Sequence, residues 1–273
     1  MKSKHKILVV EAISEAGEIK KVNQDHILAR VGEIDGQQFG LFAVADGMGG
    51  LEAGGYASSF TIKKINQWWE GSLPGLLVEY EEPIDIMVTN LEELVREINH
   101  EILSISKEIN KKMGTTLSIL LLYKENYYIF HIGDCRIHKI YNLTINQLTE
   151  DHSYVGDLVK KGTISIEEAK CHPKRNLITR CLGVTSKIEL FYHWGKQRLG
   201  ENFLISSDGF YNQLEDAEIV LMINKYKYNV KKALKELTRL VYERGAHDNL
   251  SVIYVGGKTE ASIFQRIRSS IEN

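Results

Sequence analysis

Thr116-Leu117-Ser118-Ile119-Leu120-Leu121-Leu122-Tyr123, Lys124-Glu125-Asn126, Tyr127-Tyr128-Ile129-Phe130-His131-Ile132: this stretch decides the fold. Two near-continuous apolar runs of strand length, joined by a short polar turn, read as adjacent strands covered on both faces. Such strands need one layer above them and another below. The second run ends at Gly133-Asp134, and a meander continues over 136–141 and 144–148 through Asn142.

Toward the N-terminus, Lys6–Ile13, His26–Val31 and Gln38–Ala45 read as further strands, with Gly32–Gly36 as a hairpin turn. A helix is expected from about Glu52 to Trp69, ended by Gly71 and Pro74, with 71–83 as a loop. Between Ile84 and Lys111, Met87, Leu91, Leu94, Val95, Ile98, Ile102, Ile105 and Ile109 recur every three or four residues. That is one apolar stripe, suited to a helix lying on a sheet. Residues 152–177 are polar and predict two short helices, around 153–160 and 165–170, inserted between strands. Strands resume near Lys187–His193 and Asn202–Ser207, helices follow near Glu215–Ile223 and Asn229–Glu243, and a last strand is expected over Leu250–Val255. Two blocks of meandering strands, each with two helices, predict an α+β fold: a four-layer α-β-β-α sandwich of two mostly antiparallel sheets flanked by helices. The strict strand–helix alternation of a doubly wound sheet is missing.

The composition is that of a soluble globular chain, and a net charge of −2 over 273 residues argues against a nucleic-acid binder. The apolar run Ile7–Val10 is too short for a signal-peptide core, and no stretch approaches the ~20 apolar residues of a membrane span. Cys135, Cys171 and Cys181 form no CxxC pair, so neither a disulfide framework nor a zinc site is indicated. A cytoplasmic monomer, without nucleic-acid or membrane partners, is the expectation.

Asp25, Asp46, Asp134, Asp208 and Asp248 each stand where an apolar, strand-like run gives way to Gly, Asn or another loop residue. Singly, an Asp-Gly pair is a turn. Three of these aspartates, however, follow runs that should be buried: Phe39–Ala45, Tyr127–Ile132 and Phe203–Ser207. Carboxylates at several strand ends can be aimed at one point, as a hard cation such as Mg²⁺ or Mn²⁺ requires.

The order of segments resembles the metal-dependent serine/threonine protein phosphatases of type 2C, in their bacterial form. They run Asn23-Gln24-Asp25, Asp46-Gly47-Met48-Gly49-Gly50, Met113-Gly114-Thr115-Thr116, Gly133-Asp134-Cys135-Arg136, Leu148–Ser153, Ile178–Gly183, Ser207-Asp208-Gly209 and Asp248-Asn249. The resemblance implies a catalytic domain over 1–257 with a flap at about 152–177, and a short helical extension over 258–273. It implies two core Mn²⁺ or Mg²⁺ ions: Asp46 bridging them, the Gly47 carbonyl adding an oxygen, Asp25 serving one directly or through water, and Asp208 and Asp248 completing the other. Asp134 with Asp208 matches the ligands of a third, weaker ion. Asp25, Asp46, Asp208 and Asp248 would thus be the catalytic carboxylates. The implied reaction is hydrolysis of phosphoserine and phosphothreonine in proteins by attack of a metal-activated water, opposing a bacterial Ser/Thr kinase. The Cys-x5-Arg element of a cysteine phosphatase is absent.

Three positions depart from the family pattern. Lys20 stands where an Arg usually clamps the phosphate; lysine keeps the charge and loses the two-pronged geometry. Gln24 replaces a frequent Glu, and Met48 stands where animal members have a His proposed as general acid. His131 is expected to be a satisfied core residue, His152 a structural hydrogen-bonding residue, and Trp68-Trp69 core. His247 adjoins Asp248 and is open to contact with the metal water network. Two other readings stay open: a pseudophosphatase acting as a binding module, motivated by Lys20 and Gln24, and a phosphatase acting on a phosphorylated regulator of the anti-sigma-antagonist type.

Overall fold

A computed structural model describes residues 6–50 and 53–259. The strands are β1 (Lys6–Glu15), β2 (Asp25–Ile34), β3 (Gln37–Gly49), β4 (Met113–Thr115), β5 (Leu117–Tyr123), β6 (Asn126–Ile132), β7 (Arg136–Tyr141), β8 (Thr144–Gln147), β9 (Phe191–Lys196), β10 (Asn202–Ser206) and β11 (Leu250–Thr259). One sheet has the order β1-β11-β10-β7-β8, the other β2-β3-β5-β6-β9 with β4 beside β3. Every pairing in both is antiparallel.

Three apolar layers account for the continuous runs. Phe42, Val44, Leu120 and Ile129 from one sheet meet Ile137, Phe203, Ile205 and Ile253 from the other, forming the inner layer. The alternate residues Leu41, Ala43, Ile119, Leu121 and Phe130 face outward. They are covered by α1 (Ala53–Gln67) and α3 (Ile84–Glu108), whose Ile65, Met87, Leu91, Val95, Ile98 and Ile102 are buried. On the far side Leu204, Val252 and Tyr254 are covered by α7 (Asp216–Lys225) and α8 (Val230–Glu243), through Ile219, Ile223, Leu234, Leu237 and Val241. This is the expected four-layer sandwich.

Local departures have physical reasons. Residues 71–83 are not a loop. After α1 the chain makes a π turn, Trp68–Ser72, then α2 (Leu73–Glu79). Pro74 lies in the first turn of α2, where a missing N–H costs nothing, so it opens a helix instead of closing one. The strand expected at Lys187–His193 forms later, at Phe191–Lys196; Ile188 and Leu190 pack on the outer core without pairing. β11 continues through Thr259, past the expected boundary at 257. The rest of the expected C-terminal helix, and Glu52, lie outside the described residues. Trp68 is buried as expected. Among the described residues no helix is long and apolar enough to cross a membrane.

Candidate metal centre

The five aspartates gather at one end of the sandwich because the strands carrying them end there. Asp25 opens β2 and is the direct cross-strand partner of Asp46 near the end of β3. The Asp46 backbone is fixed on both sides: its N–H donates to Thr116 Oγ1 at 2.9 Å, and its carbonyl accepts from Thr115 Oγ1 at 2.9 Å and from the Thr116 N–H at 2.9 Å. Asp134 follows β6 through Gly133, whose φ of +116° suits glycine. Asp208 follows β10 and starts the one-turn helix α6 (Asp208–Tyr211). Asp248 directly precedes Asn249 and β11.

Their electrostatics are those of crowded anions. Burial, then the charges of Asp25, Asp208, Asp134 and Asp248, push the Asp46 carboxyl well above the usual range. Burial, then Asp208, does the same at Asp134. Asp208 is pushed up to about 7 by burial and by Asp248 and Asp25. Asp25 rises to about 6, mainly through burial, against the opposing hydrogen bond from Ser207 Oγ, which donates to Asp25 Oδ2 at 2.7 Å. Asp25 Oδ1 and Asp134 Oδ1 are buried with no hydrogen-bond partner among the described residues.

Among the described residues, no three carboxylate, imidazole or thiol groups already close around one point as a finished ligand set. The donor set still fits hard divalent cations. It is all oxygen, several carboxylates bear on one of their number, and two buried oxygens are unpartnered. A carboxylate buried without a partner is costly, and a cation is the natural relief. Gly47 is buried, and a Cβ there would come within 2.2 Å of the Gly54 carbonyl oxygen, so bare backbone lies beside Asp46.

Lys20 lies at the rim of the cluster, its ammonium 2.7 Å from Asp248 Oδ1, both side chains more than two-fifths exposed. Burial is the largest single effect and lowers its pKa. The hydrogen bond and charge of Asp248, together with the charges of Asp46 and Asp208, outweigh it, and the net shift is upward, so the charge is held. The loop carrying Lys20 is stapled by Asn249. Its Oδ1 accepts from the Gln24 N–H at 2.9 Å, and its Nδ2 donates to the Ala16 and Val22 carbonyls at 2.9 and 3.0 Å.

His131 is fully buried, its Nε2 2.9 Å from the Glu150 carbonyl and its Nδ1 2.8 Å from Ser118 Oγ. Burial holds its pKa down at about 4, so the ring is neutral and structural, as expected. His152 accepts from the Gly133 N–H at 3.1 Å through Nδ1 and ties the flap to the Asp134 loop. His247 is exposed and Met48 half-buried. The flap carries α4 (Tyr154–Lys160) and α5 (Ile166–Cys171), and is closed at its base by the Tyr154 N–H donating to the Leu177 carbonyl at 2.8 Å.

Sequence reading missed the hydroxyls that hold the cluster. Ser207 joins Asp25 across 182 positions and also accepts from the Ser251 N–H at 2.9 Å. Thr116 lies in a segment that carries the family resemblance, yet nothing in that segment shows the seat it provides for Asp46.

Residues 18–252 match the family model described as Protein phosphatase 2C. The chain is 32% identical, over 79% of its length and 83% of the relative's, to the "Serine/threonine phosphatase stp" of Listeria monocytogenes serotype 4b. Among solved structures it is similar to the Streptococcus agalactiae serine/threonine phosphatase, with a TM-score of 0.81, 28% identity, and coverage of 92% of this chain and 99% of that one. It is also similar to the catalytic domain of the serine threonine protein phosphatase PstP in complex with two manganese ions, with a TM-score of 0.77, 28% identity and the same two coverages.

Proposed function

Because the chain belongs to the protein phosphatase 2C family, we infer that it is a metal-dependent protein serine/threonine phosphatase. The observation that carries this reading is the convergence on Asp46 of four other aspartates from separate segments of the chain. A protein that had lost catalysis and become a binding module would have no need to keep this repulsive, cation-demanding cluster.

In this reading Asp46, the Gly47 carbonyl, Asp25, Asp208 and Asp248 hold two Mn²⁺ or Mg²⁺ ions, and Asp134 with Asp208 holds a weaker third. Bound cations supply an acidified water and screen the phosphoryl oxygens, which a phosphate monoester dianion otherwise turns against any anionic nucleophile. The chain's own work is positional. Thr115 and Thr116 fix the Asp46 backbone, Ser207 orients Asp25, and Asn249 holds the loop that offers Lys20 to the phosphate. Met48 has no proton to give, so this position cannot protonate the leaving alkoxide. The substrates are phosphoserine and phosphothreonine proteins, the opposing partner is a Ser/Thr kinase, and the setting is a cytoplasmic monomer with one catalytic domain that takes in all of β11.

The test is turnover of a phosphothreonine peptide before and after EDTA. Activity should vanish with EDTA and return with MnCl₂, and the metal should raise the melting temperature by about 10 °C at saturating concentration. A protein that binds the peptide equally well yet never turns it over would establish the binding-module reading instead. Lys20→Ala should lower kcat/KM about tenfold, mostly through KM, since it removes one charge-assisted contact to phosphate. Unchanged KM and kcat would remove Lys20 from the site.

A further inference from the structure

Tyr211 occupies the last position of α6, three residues after Asp208, and is buried. Its hydroxyl donates to the Asp134 carbonyl at 3.0 Å, joining the Asp208 helix to the Asp134 loop. The Arg136 guanidinium lies 3.8 Å from the centroid of the Tyr211 ring. Arg136 donates from Nε and Nη2 to both oxygens of Asp151, at 2.7–3.2 Å, at the foot of the flap. The next residue, His152, grips Gly133 twice: its N–H donates to the Gly133 carbonyl at 2.7 Å, and its Nδ1 accepts from the Gly133 N–H.

We propose that Tyr211 is a positioning residue that sets the separation of Asp134 and Asp208, and with it the affinity of an outer divalent-cation site shared by those two carboxylates. This rests on the reading of both as cation ligands. The geometry assigns each part a task. The ring supplies apolar bulk for the interior and a face for Arg136, while the hydroxyl reaches the backbone that carries Asp134. The Arg136–Asp151 fork links that ring to the flap, so a shift at the flap's foot is felt at Asp134. A small cation with a near-ideal oxygen shell tolerates little change in ligand spacing, and groups that only orient ligands still move metal affinity by about 10–100-fold.

The experiment is a calorimetric titration of MnCl₂ into the EDTA-treated full chain, with melting temperatures recorded alongside. Tyr211→Phe keeps the ring and its contact with Arg136 and removes the hydroxyl alone. The tight binding steps should stay as in wild type and the weakest should loosen about tenfold. Arg136→Lys, which keeps the charge but not the flat fork on the ring, should loosen the same step less and serves as the second probe if Tyr211→Phe does not fold. Asp134→Asn should abolish that step. A wild-type titration in Tyr211→Phe, or in Arg136→Lys where it stands in, alongside loss of the step in Asp134→Asn overturns the role of Tyr211 and leaves the outer site standing. An unaltered titration in Asp134→Asn overturns both. A change in melting temperature without a change in any binding step means the hydroxyl is merely structural and also overturns the proposal.

Discussion

Asp46→Asn should lower Mn²⁺-dependent turnover of a phosphothreonine peptide by at least about 10³-fold, while making the metal-free protein more stable. The two effects have opposite signs for one reason. Burial, then the charges of Asp25, Asp208, Asp134 and Asp248, raise the Asp46 pKa in the folded chain. A carboxyl whose folded value lies above its unfolded value favours folding below the ordinary carboxylate range and opposes it as pH rises through the raised value. Asparagine copies the protonated shape at every pH. The metal-free variant should therefore melt above wild type at pH 7.5, with the gap closing as pH falls toward 4. With MnCl₂ the order should reverse, since on the proposed reading the variant lacks a carboxylate that would hold the core ions. Melting curves in EDTA and in MnCl₂ at both pH values, with the turnover assay, read all of this. Turnover within tenfold of wild type would remove Asp46 from the centre, whatever the melting curves did.

The parts of the molecule that could be read in advance share one property: their signal is local. β3, β5 and β6 announced themselves because both faces of each are buried, which leaves no polar alternation to confuse them. The aspartates stood out because Asp46, Asp134 and Asp208 come at the ends of such runs, while Asp25 begins the next strand and Asp248 comes just before one. α2 was hidden by Gly71, Pro74 and Gly75, which look like breakers until Pro74 is seen in a first turn. β9 was displaced because its alternation runs through Tyr192 and Trp194, both exposed, while the apolar Ile188 and Leu190 just before it pack without pairing. The supporting shell was illegible for a different reason. A serine that braces Asp25 from position 207, or a tyrosine that reaches from α6 to the Asp134 carbonyl, carries no signal until the two sheets are stacked. Arg136 and Asp151 both lie inside segments that carry the family resemblance, yet nothing in those segments says that they pair across fifteen positions.

Gly47→Ala should destabilise the protein by about 3 kcal/mol and impair metal binding with it, although the change adds a single methyl group. The cause is contact, because Gly47 is not among the described residues with positive φ. A Cβ at 47 would lie 2.2 Å from the Gly54 carbonyl oxygen, 2.5 Å from its carbon and 2.8 Å from the Gln24 carbonyl oxygen. All three are backbone atoms, so no side-chain rotation can relieve the clash. The reverse view agrees, since a Cβ at Gly54 would meet the Gly47 carbonyl carbon and oxygen at 2.7 Å each. The first turn of α1 thus rests directly on the strand end that carries Asp46, and making room means moving the helix or the strand. Either movement also strains the Gly47 N–H bond to the Gln24 carbonyl, 3.2 Å, which ties β3 to the segment carrying Asp25. Gly50 is the matched control: three residues on, exposed, with nothing within 4 Å of an added Cβ. Gly50→Ala should stay within about 0.5 kcal/mol of wild type. Thermal melts should place Gly47→Ala about 6–12 °C below Gly50→Ala, and MnCl₂ should recover less of the loss than it gives wild type. Equal melting temperatures for the two variants would mean that α1 does not press on β3 at this point. The oxygen assigned to Gly47 would then need a different explanation for its bare backbone.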